Sequence, residues 1–193
     1  MTGRTNVDRG REVRARLVAA AQELIGELGW NGVSTRILAE RAEVRPGLVH
    51  YHFESLQALL RQAAIEAMGP LLTDAAQLLG AADPADAVEA MLADIDRYTG
   101  TDPASLLFIE AYIAATRDPV LREQMYDLVA AFRAAITAAL VSKDHPDAET
   151  TAVLIMAVID GFILHKGLDP QLSAARLVPL LRRLTETENG ADR

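Results

Sequence analysis

Apolar residues recur at three- and four-residue steps along nearly the whole chain, and no stretch alternates as a strand would. Val13, Leu17, Ala20, Leu24 and Leu28 set the pattern, the spacing of one face of a helix with 3.6 residues per turn. Alanine and leucine dominate a hydrophobic half, while aromatic residues make up 5%. That composition favours helix over strand and is too apolar for disorder. The spacing therefore predicts an all-α fold of about nine helices.

Turn residues punctuate the pattern. A first helix is expected from Arg11 to Leu28, ended by Gly29. Ser34 or Thr35 caps a short second helix, TRILAERA, whose Ile37, Leu38 and Ala42 are expected to close on the first. Pro46 opens a third, where its missing N–H costs nothing. Ser55 caps a longer helix, which Gly69-Pro70 should kink or end. Five more segments follow: Pro84 to Tyr98, Pro103 to Thr116, Pro119 to Ser142, Asp147 to Gly167 and Ser173 to Thr187. The last two differ from the rest. One is apolar nearly all round, and the other carries Leu177, Leu180, Leu181 and Leu184 as a stripe. Such a pair is either buried centrally or meets its twin across a subunit interface.

The absence of cysteine excludes disulfides, thiolate zinc sites and cysteine nucleophiles. The longest apolar run, Ala152 to Leu164, contains Asp160 and falls short of the ~20 residues that span a bilayer. The arginine-rich N-terminus lacks an apolar signal core. A soluble cytoplasmic protein without a membrane partner is expected. Net charge is −8, but unevenly placed: residues 1–53 hold 8 arginines against 6 acids, and residues 54–193 hold 11 basic against 21 acidic groups. A mildly basic head precedes a strongly acidic body.

The heptapeptide GLVHYHF, Gly47 to Phe53, raises the question of chemistry. On a helix at about 100° per residue, Val49 and Phe53 define the buried face and Tyr51 lies opposite it with Gly47 beside it. His50 and His52 then flank the core about 160° apart, too divergent to chelate one metal. No HExxH, nucleophile elbow or phosphate loop occurs in the chain. No catalytic residue, metal or cofactor is expected. The two histidines are either half-buried surface residues or hydrogen-bond donors on a helix presented to a DNA groove.

The stretch GWNGVSTRILAERAEVRPGLVHYHFESLQALL resembles the N-terminal DNA-binding signature of the TetR family of transcriptional regulators. The likeness covers roughly residues 11–62, and the remainder is similar only in layout. The resemblance implies a helix-turn-helix DNA-binding domain in residues 1–54 and a ligand-binding and dimerisation domain in residues 55–193. It implies a ligand-responsive dimer, most often a repressor, on a pseudopalindromic double-stranded DNA operator. Thr35–Ala42 becomes the bracing helix and Pro46–His52 the recognition helix. Arg36 then suits a phosphate or base edge. Arg45, Pro46, Gly47, Leu48 and Tyr51 lie toward the major groove, with Leu48 able to touch a thymine methyl. His50 takes the place of a phosphate-contacting tyrosine, and His52 matches the histidine before the core aromatic.

Three positions depart from that pattern. Glu43 stands where glycine is usual, at a cost of up to ~1–2 kcal/mol if left-handed. Leu56 follows Ser55 where many relatives place a phosphate-binding lysine, a loss that the N-terminal arginines are placed to offset. His50 replaces tyrosine. For an unknown small-molecule effector, Met91, Phe108, Tyr112, Met125, Phe132, Met156 and Asp160 suit an adaptable cavity, although the same spacing also describes ordinary core. Homodimerisation is expected through residues 147–167 and 173–187. The rival readings are an interaction module with a degenerate helix-turn-helix and an all-α enzyme whose acid, base or metal set is not found.

Overall fold

A computed structural model describes residues 6–185, and the side chains of residues 7–185. Arg4 and the last two residues of the helix expected to reach Thr187 lie outside the described residues. Nine α-helices and two single 3-10 turns make up the described fold, and no strand occurs among these residues. The helices are α1 (Asn6–Leu28), α2 (Thr35–Arg41), α3 (Gly47–His52), α4 (Leu56–Ala81), α5 (Pro84–Ile95), α6 (Pro103–Ala115), α7 (Pro119–Val141), α8 (Ala148–Lys166) and α9 (Val178–Thr185).

The chain forms two compact units, residues 1–68 with 102–123, and residues 69–101 with 124–193. In the first, Leu17, Ala21, Leu24 and Ile25 of α1 are buried together with Leu38, Val49, Leu59 and Leu60. Gly29 ends α1 with φ 75°, a left-handed turn that glycine adopts without strain. α6 packs against α1 so closely that a Cβ on Gly26 would overlap the backbone of Pro103. Ile37 is exposed, contrary to the expectation that it closes on α1; Leu38 and Ala42 are buried as expected, and Ala39 is buried with them.

In the second unit, Leu79 of α4, Val88 and Leu92 of α5, Phe132, Ile136 and Leu140 of α7, Ile155 and Phe162 of α8, and Leu181 of α9 form one core. Three helices open as expected for proline in the first turn. Asp83 and Asp102 cap two of them through N–H groups at 3.0 Å. Two expectations need correction. α4 does not end at Gly69-Pro70 but continues through it: the missing N–H removes one intrahelical bond, and the bonds on either side carry the helix on. The boundary between the two units nevertheless falls between Met68 and Gly69. The segment from Ser173 is not one helix, because a 3-10 turn at Ala174–Arg176 precedes α9.

α7 and α8 are long and apolar enough, by length and composition, to cross a membrane. The expectation that no segment reaches that length is corrected on this point. Each places one face in the core of the second unit. The opposite face of α8 leaves Val153, Leu154 and Leu164 exposed, and Leu168 just beyond it is 85% exposed.

Candidate nucleic-acid interface

The site is built from the α2–turn–α3 segment. Ser34 caps α2 by accepting the Ile37 N–H at 3.3 Å, which satisfies one of the free amides of its first turn. α2 ends at Ala42, whose N–H reaches Leu38. Glu43 follows with φ 51°, a left-handed conformation costly for a residue with a Cβ. The Val44 N–H then returns to the Ala39 carbonyl at 2.9 Å, closing the turn. Arg45 and Pro46 accept the N–H groups of Leu48 and Val49 at 2.9 and 3.1 Å, so α3 starts without a side-chain cap.

α3 divides as the helical wheel requires. Val49 is wholly buried and Phe53 nearly so, whereas Tyr51 is 79% exposed. Arg36, Arg45, Pro46, Gly47 and His50 are exposed with it, and Leu48 and His52 are half-buried at its edges. The Tyr51 and His52 rings meet edge to face at 5.0 Å. A Cβ built on Gly47 would meet nothing within 4 Å. No internal packing therefore demands glycine there, and the bare backbone is offered outward. Among the described residues no group of three or more His, Asp or Glu side chains is placed to hold a metal ion.

The charge of the head is distributed differently from its sum. Arg41 is held by Glu23 at 2.9 Å and Glu27 at 2.6 Å. Its hydrogen bond to Glu27 keeps that carboxyl below its usual range, and the pair of acids raises the guanidinium further. Arg14 and Arg16 point their donors at carbonyl groups within the head. Arg36 and Arg45 form no ion pair among the described residues and stand on the exposed face. Counting arginines along the sequence could not separate these two sets. Only the acids at four-residue spacing on α1, Glu23 and Glu27, hinted that one arginine would be neutralised.

The residues expected to hold an effector are scattered over both units. Phe108 and Tyr112 belong to the first and stack on each other at 5.8 Å. Met91 and Phe132 lie in the core of the second unit, with Met156 packed against it. Met125 is buried in that unit, and Asp160 is half-buried there. Burial raises the Asp160 carboxyl above its ordinary value, because desolvation disfavours the charged form. The second unit also carries a cleft of about 320 Å³ lined by Val158, Gly161, Phe162, His165, Asp169, Leu172 and Leu177. None of the seven expected residues lines it.

Comparison with known proteins agrees with this geometry. Residues 17–63 match the family described as bacterial regulatory proteins, tetR family, and residues 80–187 match the tetracyclin repressor-like C-terminal domain. An uncharacterized HTH-type transcriptional regulator of Mycobacterium tuberculosis is 28% identical over 94% of this chain and 97% of its own length. The crystal structure of a transcriptional regulator from Rhodococcus sp. Rha1 superposes with a TM-score of 0.72 at 25% identity, covering 89% of this chain and 93% of that one. The multidrug binding protein EbrR, in complex with ethidium, superposes with a TM-score of 0.69 at 28% identity over 91% of this chain and 99% of that chain. With its helix-turn-helix in the first unit and a matched C-terminal domain behind it, the chain belongs to the TetR family of bacterial transcriptional regulators.

Proposed function

We propose that this regulator is a cytoplasmic homodimeric repressor that binds a pseudopalindromic operator and leaves it when a small-molecule effector binds. The observation that carries the dimer is the bare face of α8. Val153, Leu154 and Leu164 are exposed on the side of α8 away from its buried face, as is Leu168 just past its end. A soluble protein rarely leaves such a stripe uncovered, and two copies of it form a self-complementary interface.

In this reading Arg36, Arg45, Pro46, Gly47, Leu48, His50, Tyr51 and His52 meet the operator. Arg36 and Arg45 hold phosphates or guanine edges, and Tyr51 and Leu48 fit between base edges. Two recognition helices presented about 34–36 Å apart would read the two half-sites. The residue division 1–54 for DNA and 55–193 for ligand and dimer goes with this reading. Met91, Phe108, Tyr112, Met125, Phe132, Met156 and Asp160 remain the proposed effector contacts. The EbrR complex with ethidium supports an effector with an aromatic plane and a positive charge. An effector acts by preferring the dimer whose head spacing does not fit the operator.

The test is a titration of the purified protein into a fluorescent operator duplex, followed by sedimentation. The proposal expects two protomers per duplex, affinity that falls steeply with salt, and release by a planar aromatic cation that does not itself intercalate into the duplex. One protomer per duplex, or binding indifferent to salt, contradicts it.

A further inference from the structure

Two arginines of α1 lie two residues apart and reach opposite ends of the DNA-reading segment. One Arg14 nitrogen donates to the carbonyl of His52 at 2.8 Å, at the last residue of α3. The other donates to the Gln62 side chain on α4, which in turn donates to Glu66 at 2.6 Å. The Arg14 guanidinium also lies 4.2 Å from the centre of the Phe53 ring, within range of a cation–π contact. Arg16 donates to the carbonyl of Ala42, and to that of Glu43 at 2.8 Å. The Glu43 carboxylate lies 3.9 Å from the same guanidinium.

Three of the four acceptors are backbone carbonyls left over where α2 and α3 end, groups with no intrahelical donor of their own. Lysine could not serve both Arg14 acceptors while lying flat on a ring, whereas a planar fork can. α3 is six residues long, too short to fix its own direction. Its orientation must come from what ties its two ends. At the entrance stands Glu43 in the left-handed region, which glycine would occupy freely.

We propose that Arg14 and Arg16 are positioning residues for DNA recognition and not phosphate contacts. Arg16 holds the left-handed turn before α3 in the absence of glycine, and Arg14 fastens the exit of α3 to α1 and α4. The proposal rests on α3 reading DNA, and its test separates the two claims.

Affinity for a duplex that the protein itself enriches from a random pool is measured across salt concentrations. Arg14→Ala and Arg16→Ala should each weaken binding about tenfold while leaving the slope of log K against log salt unchanged. Loss of a phosphate contact would instead flatten that slope by about 0.9, and this result would overturn the proposal. Arg14→Lys keeps the charge and should still bind weakly; wild-type affinity with lysine contradicts a positioning role. Glu43→Gly should restore Arg16→Ala to near wild-type affinity but leave Arg14→Ala impaired. Glu43→Gln removes the carboxylate but not the strained backbone and should restore neither. Urea unfolding decides the same point without DNA. Arg16→Ala must cost less in the Glu43→Gly background, and strictly additive midpoints would sink the idea. Should the wild type enrich no duplex, the DNA-reading role fails while the urea cycle still judges the brace.

Discussion

The backbone N–H of Trp30 donates to the Glu110 carboxylate at 2.8 Å across 80 residues of sequence. Trp30 begins the 3-10 turn between α1 and α2, and Glu110 lies in the middle of α6. The indole N–H is answered separately by Gln57 at 2.9 Å. Glu110→Ala leaves the backbone donor without its charged partner, at a cost of about 1–3 kcal/mol. Glu110→Gln keeps an acceptor and should lose less. Trp30 is the sole tryptophan, so urea unfolding followed by its fluorescence reads this unit directly. Equal stability of Glu110→Ala and wild type would contradict the assigned role.

Two glycines of the first unit should respond oppositely to alanine. Gly26→Ala places a methyl group into the backbone of Pro103 and should destabilise by about 1–3 kcal/mol, the usual penalty of overpacking. Gly47→Ala meets open space and should leave stability unchanged or raise it by up to ~1 kcal/mol. Its effect should fall on DNA affinity, where the added methyl group holds the backbone off the groove. Thermal melts and duplex binding on the two variants check the contrast.

pH acts on Asp96 and Asp160 with opposite sign. Asp96 accepts from Lys166 at 2.5 Å and from Ser173 at 3.0 Å. The Lys166 hydrogen bond is the main reason its carboxyl sits below the ordinary aspartate value. The stability it adds is present above that ordinary value and is lost as pH falls through the lowered folded one. Lys166→Met should flatten this acid limb of the stability profile. Asp160 is raised by burial, so its penalty begins near the ordinary aspartate value and is full above the raised one. Asp160→Asn should therefore stabilise the protein at neutral pH, with the gain vanishing in acid. Urea midpoints followed from neutral pH down into acid well below the unperturbed value of about 3.9 read both groups.

A charge on the bare face of α8 should separate protomers without unfolding them. Leu164 is 52% exposed and Leu154 44% exposed, so Leu164→Glu and Leu154→Glu disturb little within one chain. Circular dichroism should be preserved while sedimentation shifts from dimer to monomer. A variant that stays dimeric would place the interface elsewhere.

Legibility in the sequence followed the range of the interactions. The starts of α5, α6 and α7 were readable because proline and its capping aspartates act within one turn. The exposed face of α3 was readable because helical angles fix Tyr51 opposite Val49. What depends on distant partners was not. The Pro70 signal pointed to an interruption, but the surrounding bonds carry α4 past it. The exposure of Ile37 follows from α2 packing through Leu38 and Ala39. The arginines of α1 read as one basic arm, yet carbonyls at residues 42, 43 and 52 claim Arg14 and Arg16. The pairing of Gly26 with Pro103, which draws α6 into the first unit, leaves no local pattern at all.

The most direct test of the account is selection of bound duplexes from a random DNA pool by the purified protein, with Tyr51→Ala in parallel. The account predicts enrichment of an inverted repeat whose half-sites lie about one helical turn, or a multiple of it, apart. The Tyr51→Ala variant should enrich the repeat weakly or with altered bases. Failure of the folded wild-type protein to enrich any sequence at low salt would contradict it.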